Sequence, residues 1–370
     1  TDEKNEPNKW RLPYGFTLEG GEYKIVFASG LGDSDNQFLD PYGYYHTNFE
    51  LDKGGDYLAL VAPGSMEVVH EYADYEYSGD KLGFPPQEED YSYGMLGALK
   101  RYFSSATPEA ENSGVIDGFV ADTKFSHQRG FYYSDFYVQL STETPDATIR
   151  YTTDGSAPSD SRGEVYVPGN AIHITTTTCL RAAAFKTGWV PSNIDTQTYI
   201  FPFDVLEQAT NPATGAQVTP SGYPSSWGGI AGDYQVDPEI IHHSNVDNRL
   251  TASDMRAVPT FSLVLSPADL FGSSQIYISG ESIERLCSIE MIYPDGSTGF
   301  QENGTVQIQG GSSDNRWKSK KLSMRYKFKE FMKNGTPTGG TRKLRHQLYP
   351  DAPIDRYDNI IFDAVLNNSW

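Results

Sequence analysis

The chain has 370 residues, a net charge of −20 and 38% hydrophobic residues, including 25 Tyr, 19 Phe and 5 Trp. At roughly 150 residues per domain, this length predicts two or three domains, and the aromatic content excludes a wholly disordered chain. The charge argues against nucleic-acid partners, and no apolar run reaches the roughly 18 residues of a membrane span, so neither nucleic-acid binding nor membrane insertion is expected.

The 35 Gly and 22 Pro punctuate short alternating runs, which predicts a mainly β fold. From Trp10 to about Leu60, YKIVFASG and HTNFELDKGGDYLALVAP alternate apolar and polar residues, with Gly54-Gly55 read as a hairpin turn. Residues 67–90 hold eight acids against one lysine and are read as an irregular solvated loop. SSATPEAENSG, residues 104–114, marks a boundary. Beyond it, FYVQLST, ATIRYTTDG, AIHITTTTCLRAAAF and TQTYIF predict a small immunoglobulin-type sandwich, antiparallel and autonomous over residues 119–201. Pro202 to about Ala257 is rich in Pro, Gly, Ser and Asp and is read as a connector packed on its neighbours. VPTFSLVLS, SIEMIYPDG and TVQIQGG then open a third β-rich unit. The expected fold is thus two tandem immunoglobulin-like sandwiches, a connector and an incomplete β-rich α+β domain, with boundaries 1–113, 114–201, 202–256 and 257–370. Cys179 and Cys287 lie far apart in strand-like runs and are read as two buried free thiols.

Three stretches resemble known bacterial extracellular modules. NKWRLPYGFTLEGGEYKIVFASG, HTNFELDKGGDYLALVAPGSMEVV and DYSYG resemble the later strands of a lamin-tail domain, without the first strands of that family. The run from ATIRYTTDG through TQTYIF resembles the chitobiase and β-hexosaminidase C-terminal domain, most specifically in Arg150-Tyr151-Thr152-Thr153-Asp154-Gly155 and Leu180-Arg181-Ala182. DYQVDPEI, VPTFSLVLSPADLFG, ERLCSIEMIYPDGSTGF, VQIQGGSS, WKSKKLSMRYKF and DRYDNIIFDAVLNNSW are similar to the opening of a spore-coat-H kinase-like domain. Asp314-Asn315-Arg316 stands where that family usually has Arg directly after the turn, and the family's catalytic and metal-binding aspartates lie beyond the Asn-Ser-Trp segment. The resemblance therefore implies a middle piece of a longer secreted or cell-surface protein, with no catalytic residue in this chain.

Between Arg316 and Arg345 the sequence holds eleven cations and one acid. Such concentration suits an anion, and kinases need cations on transferred phosphates. Lys320, Leu322, Met324, Tyr326 and Phe328 fall on one face of a period-two pattern; Lys321, Ser323, Arg325, Lys327 and Lys329 fall on the other, read as a solvated surface that pairs with acids elsewhere. Gly311 and Ser312 in the Gly310-Gly311-Ser312-Ser313 turn, with Arg316, Lys320 and Lys321, are the candidate phosphate contacts, weighed against an ordinary hairpin turn. Asp33, Asp35 and Asp40 are candidate calcium ligands, weighed against a solvated loop that lacks EF-hand spacing. His242-His243 lacks the i, i+4 spacing of a zinc pair.

Two readings compete, with a third behind them. The favoured one is an extracellular structural or adhesive protein, a self-assembling scaffold or filament subunit that needs no cofactor and binds other chains, copies of itself or cell-surface polysaccharide. The alternative is a secreted atypical protein kinase using ATP and magnesium in a longer protein. The third is a carbohydrate-binding accessory region carried by Trp189, Trp227 and Tyr223, for which core and connector packing is the competing explanation.

Overall fold

The computed structural model describes residues 1–32, 38–79, 81–227, 230–272, 276–279, 283–309, 322–331, 337–349 and 353–364. It is mainly β, with 37% strand and 7% helix, and divides into two compact units, Thr1–Gly118 and Phe119–Trp370.

The first unit is built from short paired strands. Leu58–Val61 pairs with Val68–Tyr72, Tyr75–Ser78 with Lys81–Gly83, and Leu99–Phe103 lies between Ser92–Leu96 and Val115–Ile116. Residues 67–90 therefore hold the second strand of one hairpin and the whole of another, Tyr75–Gly83, where their acidity suggested an irregular loop. The acids alternate with His70, Tyr72 and Tyr77, which are half-buried, and a strand tolerates charge at every second position when the other face is covered. At the Gly54-Gly55 turn, Gly55 sits at φ 114°, and a Cβ there would fall 2.6 Å from Tyr77 Cβ.

In the second unit, β1 (Gly130–Phe131), β3 (Thr148–Thr152), β4 (Glu164–Val165), β6 (Thr178–Phe185) and β7 (Asp195–Ile200) form a five-stranded sheet in the order β1-β7-β6-β3-β4, while β2 (Phe136–Val138) pairs with β5 (Ile172–Ile174). Alternation in β6 sends Leu180, Ala182 and Ala184 inward to meet Val120, Val138, Ile149, Ile174 and Tyr199 in one core. The sandwich is not wholly antiparallel, because β1 runs parallel to β7.

A six-stranded sheet follows: β8 (Thr260–Val264), β9 (Arg285–Ile292), β10 (Gln301–Ile308), β11 (Met324–Phe331) and β12 (Pro337–Thr341) in that order, with β13 (Asn359–Phe362) also on β11. The period of two read in the basic stretch is present: Leu322, Tyr326 and Phe328 are buried and pack with Cys287, Ile289, Val306 and Ile308. The segment between the two sheets is more structured than an extended connector. It carries short helices at Pro202–Leu206 and Pro238–Ile241, and it sends Trp227, 4% exposed, into the core of the six-stranded sheet.

Leu180 is fully buried. Replacing it with Ala should lower the unfolding free energy of the second unit by about 2–5 kcal/mol through lost transfer energy and the residual cavity, read from urea unfolding.

Candidate functional site

The outer face of the sandwich sheet is polar, and it is buried. Register places Cys179 opposite Thr198, Arg181 opposite Thr196, and Thr152 opposite Arg181, so these side chains share the face turned away from the sandwich core. Ser262 and Glu290 are likewise opposite each other on β8 and β9. The two polar faces meet. Glu290, with no exposed surface, accepts the Thr198 N–H at 3.0 Å and the Thr198 hydroxyl, and lies 3.3 Å from Arg129 Nε. The Thr198 and Ser262 hydroxyls share a further hydrogen bond at 2.8 Å. Arg129 is held on the sandwich side by Gln197 Oε1, which accepts its backbone N–H at 2.7 Å, and by the Thr196 carbonyl at 3.3 Å. Asn303 Nδ2 adds a bond to the Ile194 carbonyl at 3.1 Å.

The Asp154-Gly155 turn completes this seam. Asp154 Oδ1 accepts the Ser156 N–H at 2.9 Å, and Arg181 Nη1 donates to the Gly155 carbonyl at 2.9 Å. Gly155 is at φ 80°, and a Cβ would lie 2.7 Å from the Leu265 carbonyl, so glycine is required both by backbone conformation and by the approach of the second sheet. Residues 127–196 match the family model of the chitobiase/β-hexosaminidase C-terminal domain. Searches of curated proteins and of solved structures gave no match to the chain. In this chitobiase-type domain, the turn that marks the family in sequence is thus also a contact surface. The outer face of the domain is covered by the sheet that follows, and both lie in one compact unit.

The cations of β11 are the second constellation. Lys327 Nζ donates to Glu284 Oε2 at 2.6 Å and to Gln307 Oε1 at 2.7 Å, Lys329 Nζ lies 3.4 Å from Glu284 Oε1, and Thr305 donates to that same oxygen at 2.6 Å. Burial alone would push the Glu284 carboxyl up, but Lys327, Thr305 and Lys329 outweigh it and hold it below the usual range. Arg342 pairs with Glu302 at 3.1 Å and Lys343 with Asp358 at 3.6 Å. Lys327 and Lys329 therefore hold an internal carboxylate on a half-buried face.

Gly311, Ser312, Arg316, Lys320 and Lys321 lie outside the described residues, as do Asp33 and Asp35. Asp40 is described and serves its own turn: Oδ1 accepts the N–H groups of Tyr42 and Tyr44, both at 2.9 Å, and Oδ2 faces His46 at 3.6 Å. Among the described residues no group of three or more His, Cys, Asp or Glu could hold a metal ion, and no helix there is long and apolar enough to cross a membrane. Of the aromatic trio considered for sugar binding, Trp227 is buried and donates to Tyr234 Oη at 2.8 Å, Tyr223 packs on Phe271, and Trp189 packs on the sandwich core beneath Lys186. Both cysteines are free. Cys287 is buried, whereas Cys179 keeps some accessible surface, so full burial does not hold for it. Its Sγ still lies 3.6 Å from Thr198 Oγ1, and desolvation pushes the thiol up to about 11, with Cys287 at about 12.

Desolvation also pushes Glu290 up to about 7, against the pull of Arg129 and Thr198, and Asp195 up to about 6, against the hydrogen bonds from Thr123. Unfolded, these carboxyls titrate near 4.3 and 3.9. Each binds its proton more tightly in the folded state, so its contribution is complete below about pH 4 and is lost as pH rises through the folded values. The unfolding free energy of the second unit should therefore fall from about pH 5 to about pH 7.5. Glu290→Gln should remove part of that slope and Asp195→Asn a further part, in urea titrations across this range. A slope identical in wild type and Glu290→Gln would contradict the assignment.

Proposed function

We propose that the chain belongs to an extracellular or cell-surface structural protein and works as an adhesive scaffold. In this reading residues 1–113 are a lamin-tail-like sandwich and residues 257–370 are the opening part of a spore-coat-H kinase-like domain used as a framework, with other chains, copies of itself or surface polysaccharide as partners. The observation that carries the reading is the seam between the chitobiase-type sandwich and the six-stranded sheet, where Glu290, Thr198, Arg129 and Ser262 are linked without exposure of the carboxylate. Buried polar contacts of this kind fix one relative placement of two sheets, because a slip would strand a desolvated charge at a cost of about 3–5 kcal/mol. Fixed placement is what a surface-presenting module requires.

The second reading, a protein kinase, is favoured by one specific pair, Lys327 and Glu284. A strand lysine held by a glutamate is one of the parts that kinase phosphoryl transfer uses, but that chemistry also needs carboxylate-held magnesium at the phosphates. The scaffold reading accounts for the same pair as cover for a half-buried face, shared as it is with Lys329, Thr305 and Gln307.

Incubation with radiolabelled ATP and magnesium separates the two. The scaffold reading expects no label on the chain or on an added acceptor protein. Labelling that disappears in Lys327→Ala would overturn it in favour of the kinase.

A further inference from the structure

The second unit carries an open groove of about 610 Å3 at the end of the sandwich, formed where Tyr133 and Phe203 meet the 252–257 segment. This volume falls among small-molecule sites, roughly 300–1,000 Å3. Only Tyr133 belongs to the stretch that matches the chitobiase-type family. Tyr133 and Phe203 are 51% and 63% exposed although both are large aromatics, and their rings meet edge to face at 6.0 Å and 70°, making an aromatic corner on the surface. Beside them stand Ser253, Asp254 and Arg256.

The charges in the groove narrow what it can hold. The Arg256 guanidinium lies 5.7 Å from the Tyr133 ring centroid and 5.8 Å from that of Phe131, and its Nη2 donates to the Pro294 carbonyl at 2.6 Å. The Tyr133 ring and its hydroxyl, at 3.4 Å, are thus already engaged by a cation of the chain, and its charge also repels a ligand cation that would approach the neighbouring Phe203. Asp254 receives the Thr251 N–H at 2.8 Å and the Thr251 hydroxyl at 2.6 Å, both on Oδ2. These bonds favour the carboxylate, which repels an anion and leaves Oδ1 as an acceptor. What remains is a neutral ligand with weakly positive C–H surface for the ring faces and hydroxyl groups for Asp254, Ser253 and Arg256.

We propose that this groove binds a neutral pyranose glycan, with a sugar face against Phe203 and hydroxyls donated to Asp254. The inference deepens the adhesive reading by naming a ligand class and rests on it for its biological sense, although the site stands on its own geometry.

The test is titration of the intact chain with cellohexaose and chitohexaose, followed by calorimetry and by amide chemical shifts around residues 133, 203 and 252–257. A sulfated oligosaccharide and a proline-rich peptide are run in parallel. Saturable binding of a neutral hexasaccharide is expected, weakened about tenfold by Phe203→Ala, the upper end of what one aromatic contact contributes. The urea midpoint should not move, since Phe203 is mostly exposed. Asp254→Asn should in addition admit the sulfated probe. No saturable binding of either neutral probe, binding untouched by Phe203→Ala, or preference for the sulfated probe or the peptide would each overturn the inference. Failure here with an ATP assay that stays blank would leave the scaffold reading in place, whereas ATP labelling would remove that reading and leave the groove to its own titration.

Discussion

Glu290 is a carboxylate with no accessible surface, and the arrangement of the second unit depends on how it is satisfied. Moving such a group out of water is unfavourable unless donors are already in place. The donors come from the sandwich: the Thr198 N–H, the Thr198 hydroxyl and Arg129. Each sheet covers the polar face of the other, and the bonds at Glu290 run between them. This explains why β6 and β7 carry Thr196, Thr198 and Arg181 on a face that an isolated sandwich would turn to solvent.

The same constraint gives a second meaning to the turn at Asp154-Gly155. As a hairpin connection it needs a residue at positive φ. As a docking point it also needs that residue to lack a side chain, since the Leu265 carbonyl occupies the space of a Cβ. A substitution such as Gly155→Ala is therefore expected to disturb the joint as well as the hairpin. Arg181, buried behind the turn and bonded to the Gly155 carbonyl, ties the docking point to the middle of β6.

Much of this was legible in the sequence where the signal is local. The basic stretch shows a period of two, and Leu322, Tyr326 and Phe328 from one of its faces are buried in one core. TTTTCLRAAAF alternates as plainly, but the thiol read there as buried, Cys179, lies on the face opposite Leu180 and Ala182, which fill the sandwich core. In residues 67–90 composition masks alternation: the acids hide two runs at strand spacing, Val68-His70-Tyr72 and Tyr75-Tyr77. The long-range pairs left no local trace. Glu284 and Lys327 are 43 residues apart and Thr198 and Glu290 are 92 apart, so only the fold brings them together. A hint existed in β9, where Ser288 and Glu290 interrupt an apolar strand at alternate positions, the mark of a face buried against something polar. The groove was missed for a similar reason, since Tyr133, Phe203 and Arg256 belong to three different segments.

The account's central claim is that the seam at Glu290 makes the sandwich and the six-stranded sheet one cooperative body. Native-state hydrogen exchange of the wild type and Glu290→Ala tests it most directly, by comparing core amides of β6, around Leu180, with those of β9, around Ile289. The account predicts a shared opening free energy for both strands in the wild type and an equal fall in both, about 3–5 kcal/mol, in the variant. Two different opening free energies in the wild type, or a fall confined to β9, would contradict it.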